Sequence, residues 1–89
     1  MHHRSVLVKN RRGLHARAAA KFVTLAEQFT ATVDVVRDGQ AVSARSIMGL
    51  MMLGAGKGST LDLQATGVDA EAAIAALAEL VGAGFHEQD

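Results

Sequence analysis

Thr32-Val33-Asp34-Val35-Val36-Arg37-Asp38-Gly39-Gln40-Ala41-Val42-Ser43-Ala44 reads as two strands joined by a tight turn. Val33 and Val35 fall on one side and Thr32 and Asp34 on the other, the two-residue period of a half-buried strand. Asp38-Gly39 is a dipeptide that accepts positive φ angles, as a two-residue hairpin turn requires. Residues 40–44 return as the next strand. A hairpin is therefore expected here, and with it an antiparallel sheet.

Downstream, Ser46 is a preferred helix N-cap, and the apolar run Ile47-Met48-Gly49-Leu50-Met51-Met52-Leu53 lasts about two turns before Gly54 stops it. This helix is apolar nearly all round, so some of Ile47, Met48 and Met51 should be exposed. They then form either a docking surface or the filling of an irregular core. Gly54-Ala55-Gly56-Lys57-Gly58-Ser59-Thr60 resembles a nucleotide loop only superficially. Met51 stands where the first glycine belongs, and Gly58 replaces the Ser/Thr that would hold magnesium. A strand rather than a helix follows, so the segment reads as a flexible connector. Leu61, Leu63 and Ala65 then alternate with Asp62, Gln64 and Thr66, which predicts a strand over Thr60–Thr66 with one solvated face. Asp69 reads as the cap of a last helix running from Ala70 to about Ala83, with Ala73, Ile74, Leu77, Ala78 and Val81 buried. The tail from His86 to Asp89 reads as frayed.

Upstream of the hairpin, residues 5–10 read as a strand with Val6 and Val8 on one face and Leu7 on the other. From Ala16 to about Gln28 the period becomes helical, and Ala19, Phe22, Val23, Ala26 and Phe29 form the apolar stripe. The expected order is β-α-β-β-α-β-α. That is a two-layer α+β open-faced sandwich, a four-stranded antiparallel sheet with three helices on one face.

The 89 residues suffice for one small domain, residues 1–89, and contain no Cys, Trp, Tyr or Pro. Nine basic residues balance nine acidic ones, which removes the excess expected of a nucleic-acid binder. The aromatics are three phenylalanines, two in a helix stripe and one in the tail, so no stacking surface for bases is expected. No apolar run approaches membrane-spanning length, and a soluble cytoplasmic monomer is expected. His2 and His3 read as incidental residues of a fraying terminus. No metal or cofactor motif is found.

Between the first strand and first helix lies Asn10-Arg11-Arg12-Gly13-Leu14-His15-Ala16-Arg17. A glycine turn delivers a histidine to the start of a helix, with an arginine two residues on. First-turn N–H groups lack helical acceptors and carry partial positive charge, so a phosphate there meets free donors and the Arg17 guanidinium together. An imidazole beside such a pocket can accept a phosphoryl group. Read plainly, Gly13 is only a turn, His15 a cap and Arg17 a solvated residue, and spacing alone favours this plainer version.

Two separated motifs in order change that balance. Gly13-Leu14-His15-Ala16-Arg17 and Ser46-Ile47-Met48-Gly49-Leu50-Met51 resemble the active-site signature and the regulatory segment of the histidine-containing phosphocarrier (HPr) family of the phosphoenolpyruvate-dependent phosphotransferase system. The resemblance covers almost the whole chain, and His-Ala-Arg-Ala with Gly-Leu-Met-Met-Leu is closer to its nitrogen-related regulatory branch. It implies that His15 takes a phosphoryl group on Nδ1 from phosphorylated enzyme I and passes it to a IIA-type protein. Arg17 and the amides of Ala16 and Arg17 would hold the phosphate. Ile47, Met48 and Met51 would dock both partners, and Ser46 would be the site of the HPr kinase/phosphorylase found in some lineages. The chain would then be a phosphorylated intermediate rather than a free-standing enzyme. The alternative is a non-carrier docking module of the same fold, acting through Ser46 and the Ile47/Met48/Met51 patch. One departure stands out: the family usually has proline after the arginine, and here Ala18 follows.

Overall fold

The computed structural model describes residues 1–87. Its sheet has the order β1-β4-β2-β3, built from β1 (His2–Leu7), β2 (Thr32–Arg37), β3 (Gln40–Ser43) and β4 (Thr60–Thr66). Every neighbouring pair is antiparallel. The hairpin closes with Arg37 opposite Gln40, and Asp38 and Gly39 have φ of 51° and 79°. Both central residues thus take the positive φ that lets the turn follow the twist of its strands.

β1 begins three residues earlier than its sequence suggests and ends at Leu7. His2 and His3 are strand residues opposite Ala65 and Gln64, not a frayed end. Their segment lacks apolar alternation, so its strand state comes from pairing with β4 rather than from burial. Beyond Leu7 the loop before β4 takes over, with Val8 N–H donating to Ser59 O at 2.9 Å and Gly58 N–H to Val8 O at 2.8 Å. The alternation itself is as expected, since Val6 and Val8 are buried and Leu7 is exposed.

Helices α1 (Ala16–Ala26), α2 (Ile47–Met52) and α3 (Ala70–Gly82) cover one face of the sheet. Phe22 of α1, Leu50 of α2 and Leu77 and Val81 of α3 meet Val35, Leu61 and Leu63 in one core. The tail departs from expectation. Residues Gly84–His86 form a short 3-10 turn, and Phe85 is fully buried in the core, although His86 is exposed. Of the tail read as frayed, Gln88 and Asp89 lie outside the described residues.

Asp69 occupies the N-cap position of α3 without capping it. Its carboxylate instead accepts from Thr30 N–H at 2.9 Å, Ala31 N–H at 2.8 Å and Thr30 Oγ1 at 3.2 Å. The loop between α1 and β2 is thereby tied to the start of α3. The amide of Thr30 is the first cause that holds this carboxyl below its ordinary value of 3.8, with Ala31 and the Thr30 hydroxyl adding to it against the opposing effect of burial.

A carboxyl held low in the folded state stabilises the fold above its ordinary value and loses that contribution as pH falls through the folded value. Asp69→Asn turns an N–H donor toward donors. The melting-temperature gap between wild type and Asp69→Asn should be constant above about pH 5 and shrink as the pH drops below about 4. Thermal melts across that range check it, and a gap independent of pH would contradict it.

Candidate phosphoryl-acceptor site

The turn that carries the site is clamped on two sides. Asn10 is only 3% exposed, and its Nδ2 donates to Gly13 O at 2.7 Å, while Gly13 N–H donates to Asn10 O at 3.1 Å. On the other side Leu14 N–H donates to Ala55 O at 2.9 Å. Gly13 has φ of +65°, and a Cβ there would lie 2.3 Å from Ala55 O. The segment after α2 is therefore not a free connector. Its buried Ala55 forms the floor of the turn, an arrangement that only glycine permits.

From this turn the chain enters α1 with His15 at the N-cap position. Its side chain makes no cap bond, and the first helical bond in this region is Ala19 N–H to His15 O at 2.8 Å. The amides of Ala16, Arg17 and Ala18 precede it and lack helical acceptors. No acidic residue sits in the first turn to compete for them. Arg17 is exposed and has no hydrogen-bond or ion-pair partner among the described residues. Ala18 is fully buried, so its methyl serves the core at the position where proline would have lacked only a free N–H.

The His15 ring is held from behind. Its Nε2 bonds the Glu87 carboxylate, and the two side chains are 17% and 11% exposed. Glu87 also accepts from Asn10 Nδ2 at 2.8 Å through its other oxygen. Lys21 Nζ donates to Phe85 O at 2.7 Å and fixes the approach of this segment. Burial alone would raise the Glu87 carboxyl, but the bonds from Asn10 and His15 and the charges of His15 and Lys21 outweigh it and leave the value lowered. His15 Nδ1 has no partner among the described residues.

Asn10, Lys21 and Glu87 belong to no motif that gives them a role at the site. Asn10 offers a signal in retrospect, a polar residue at the end of an apolar strand and against a glycine turn. Glu87 offers none, because 72 residues separate it from His15 and only the return of the chain joins them.

At the second motif, Ser46 Oγ accepts from Gly49 N–H at 2.9 Å and caps α2. Leu50 and Leu53 are buried, while Ile47, Met48 and Met51 are exposed, Met48 to 74%. Met52, 70% exposed, joins them, although the sequence reading of the patch does not include it. α2 packs against α1, which carries His15 at its start. Among the described residues no group of three or more His, Cys, Asp or Glu is placed to hold a metal, and no helix is long and apolar enough to cross a membrane.

Comparison with known proteins gives a consistent picture. Residues 2–83 match the family model described as the PTS HPr component phosphorylation site. The phosphocarrier protein NPr of Shewanella violacea is 45% identical over 84 residues, 94% of this chain and 92% of that protein. The phosphocarrier protein HPr of Cupriavidus necator is 46% identical over 84 residues, 94% of each. The crystal structure of HPr-C-His from Thermoanaerobacter tengcongensis aligns with a TM-score of 0.95 at 43% identity, covering 100% of both chains.

The clamp at Gly13 predicts a specific asymmetry between glycines. Gly54→Ala meets no neighbour within 4 Å at φ +64° and should cost about 1–2 kcal/mol, the left-handed penalty alone. Gly13→Ala adds a backbone clash and should cost roughly 3 kcal/mol or more. Urea unfolding of both variants measures the difference, and equal losses would show that the Ala55 floor yields freely.

Proposed function

This chain belongs to the PTS HPr family, and from that premise we propose that its phosphoryl group is carried on His15 Nδ1. The observation that carries this assignment is the Glu87 carboxylate on Nε2. A carboxylate only accepts hydrogen bonds, so the ring nitrogen facing it bears the hydrogen. In a neutral imidazole the lone pair then lies on Nδ1. That nitrogen attacks the phosphorus of phosphorylated enzyme I and later yields the group to a IIA-type protein. The free amides of Ala16 and Arg17 and the unpaired Arg17 guanidinium receive the phosphate oxygens. With both histidines in line, positioning and charge neutralisation supply most of the acceleration.

Ile47, Met48 and Met51, extended by Met52, form the apolar docking surface for both partners. Ser46 is the regulatory position. A phosphate on its Oγ would suit the start of α2 but would be costly to bury at the edge of an apolar interface. The carrier acts as one folded unit, as a monomer and in the cytoplasm. A docking module working through Ser46 and the patch alone would leave the Glu87–His15 contact and the unpaired Arg17 without a role.

Incubation with phosphoenolpyruvate and the cognate enzyme I should give one acid-labile, base-stable phosphoryl adduct by mass spectrometry, absent in His15→Ala. Arg17→Ala should retain the adduct but form it about 10- to 1,000-fold more slowly. Absence of any adduct on the wild type would overturn the carrier assignment and leave the docking module.

A further inference from the structure

The carboxylate behind His15 has a consequence for the phosphorylated state as well as for the free ring. When Nδ1 forms its bond to phosphorus, the donor's bond to phosphorus breaks and the ring becomes cationic if it keeps the hydrogen on Nε2. When the phosphoryl group leaves, the electron pair of the N–P bond returns to Nδ1. With Nε2 still protonated the leaving group is neutral imidazole. Without that proton it is an imidazolate anion, a far poorer leaving group. The lifetime and transfer readiness of the phosphohistidine therefore depend on what holds the Nε2 proton.

We propose that Glu87, fixed by Asn10, is a positioning residue that keeps the Nε2 proton on His15 throughout the carrier cycle. The proposal rests on His15 as the phosphorylated residue and deepens it. Glu87 supplies the negative charge that balances the cationic phosphorylated ring, so the phosphoryl group arrives and departs with no net proton gained or lost by the ring. Asn10 can act in only one orientation. Its Nδ2 faces two acceptors, Gly13 O and Glu87 Oε1, which fixes the amide and directs Oε2 at the ring. Buried Phe85 and the Lys21 bond to its carbonyl hold the backbone of the segment, so Glu87 reaches the ring from a braced position.

Other charges face this pair. Lys21 on α1 lowers the Glu87 carboxyl from its own side, and Lys9 lines the polar cavity of about 300 Å³ that Glu87 and Asn10 share with the end of α3. Arg17 is exposed on the first turn of α1 and lines a groove with Lys21 and His86. Lys21 stabilises the ionised carboxylate, and neither lysine can accept a hydrogen bond from Nε2, so Glu87 alone among these groups performs that task.

The test uses the folded protein phosphorylated chemically with phosphoramidate, which bypasses enzyme I. Glu87→Gln keeps the shape and an acceptor oxygen while removing the charge. Long-range 1H–15N spectra of unphosphorylated wild type should show His15 as the Nε2–H tautomer, and Glu87→Ala should show a mixture. Hydrolysis of the phosphohistidine, followed against pH, should match in wild type and Glu87→Gln on the acid side. Near about pH 8 Glu87→Gln should hydrolyse roughly fivefold more slowly, the worth of one charge-assisted bond to the proton. Superimposable profiles, or an unchanged tautomer in Glu87→Ala, would overturn the proposal. Failure of enzyme I to phosphorylate the wild type would instead overturn the carrier assignment, and the chemical profile would still decide the role of Glu87.

Discussion

One buried amide joins three parts of the chain that are far apart in sequence. Asn10 Nδ2 spends its two hydrogens on Gly13 O at 2.7 Å and Glu87 Oε1 at 2.8 Å. The first bond sets the turn that aims His15, and the second sets the carboxylate that holds its ring. Almost fully excluded from water, the amide cannot exchange these partners for solvent, so losing either would leave a buried polar group unpaired. Around it the Gly13–Ala55 approach supplies the floor and Phe85 the anchor of the returning chain. The remainder of the fold is arranged so that these pieces meet at the start of α1.

The two nitrogens of His15 consequently see opposite environments. Nε2 faces the Glu87 carboxylate, whereas Nδ1 has no partner among the described residues. Neither half suffices alone: a helix terminus attracts phosphate without choosing a nucleophile, and a carboxylate–imidazole pair chooses a nitrogen without holding phosphate. Ala18 is fully buried in the first turn of α1, so its methyl packs in the core while the exposed first-turn positions are those of Ala16 and Arg17.

Sequence patterns and structure agree along most segments where burial enforces a period, although α1 ends at Ala26 rather than near Gln28 and Phe29 is only half-buried. The Val33/Val35 strand, the Asp38-Gly39 turn, the Leu61/Leu63/Ala65 strand and the Ser46 cap all follow local rules, and each stands where those rules place it. Departures occur where tertiary pairing decides. His2 and His3 belong to a strand because β4 offers them an edge, and Asp69 abandons its own helix because Thr30 and Ala31 present three donors together. The segment after α2 is glycine-rich, the composition of a connector, yet Ala55 lies under Gly13. His15 and Arg17 were legible because they adjoin in sequence. Glu87 was not, since a single acidic residue near a chain end has no periodicity to expose its partner.

The central claim is that the fold itself selects the nitrogen that carries the phosphoryl group. Phosphorus NMR of the enzyme I-phosphorylated protein under denaturing, alkaline conditions distinguishes the two isomers of phosphohistidine by chemical shift. A single resonance from Nδ1-phosphohistidine is the predicted result. A resonance from Nε2-phosphohistidine would contradict the account, because that nitrogen is the one Glu87 occupies.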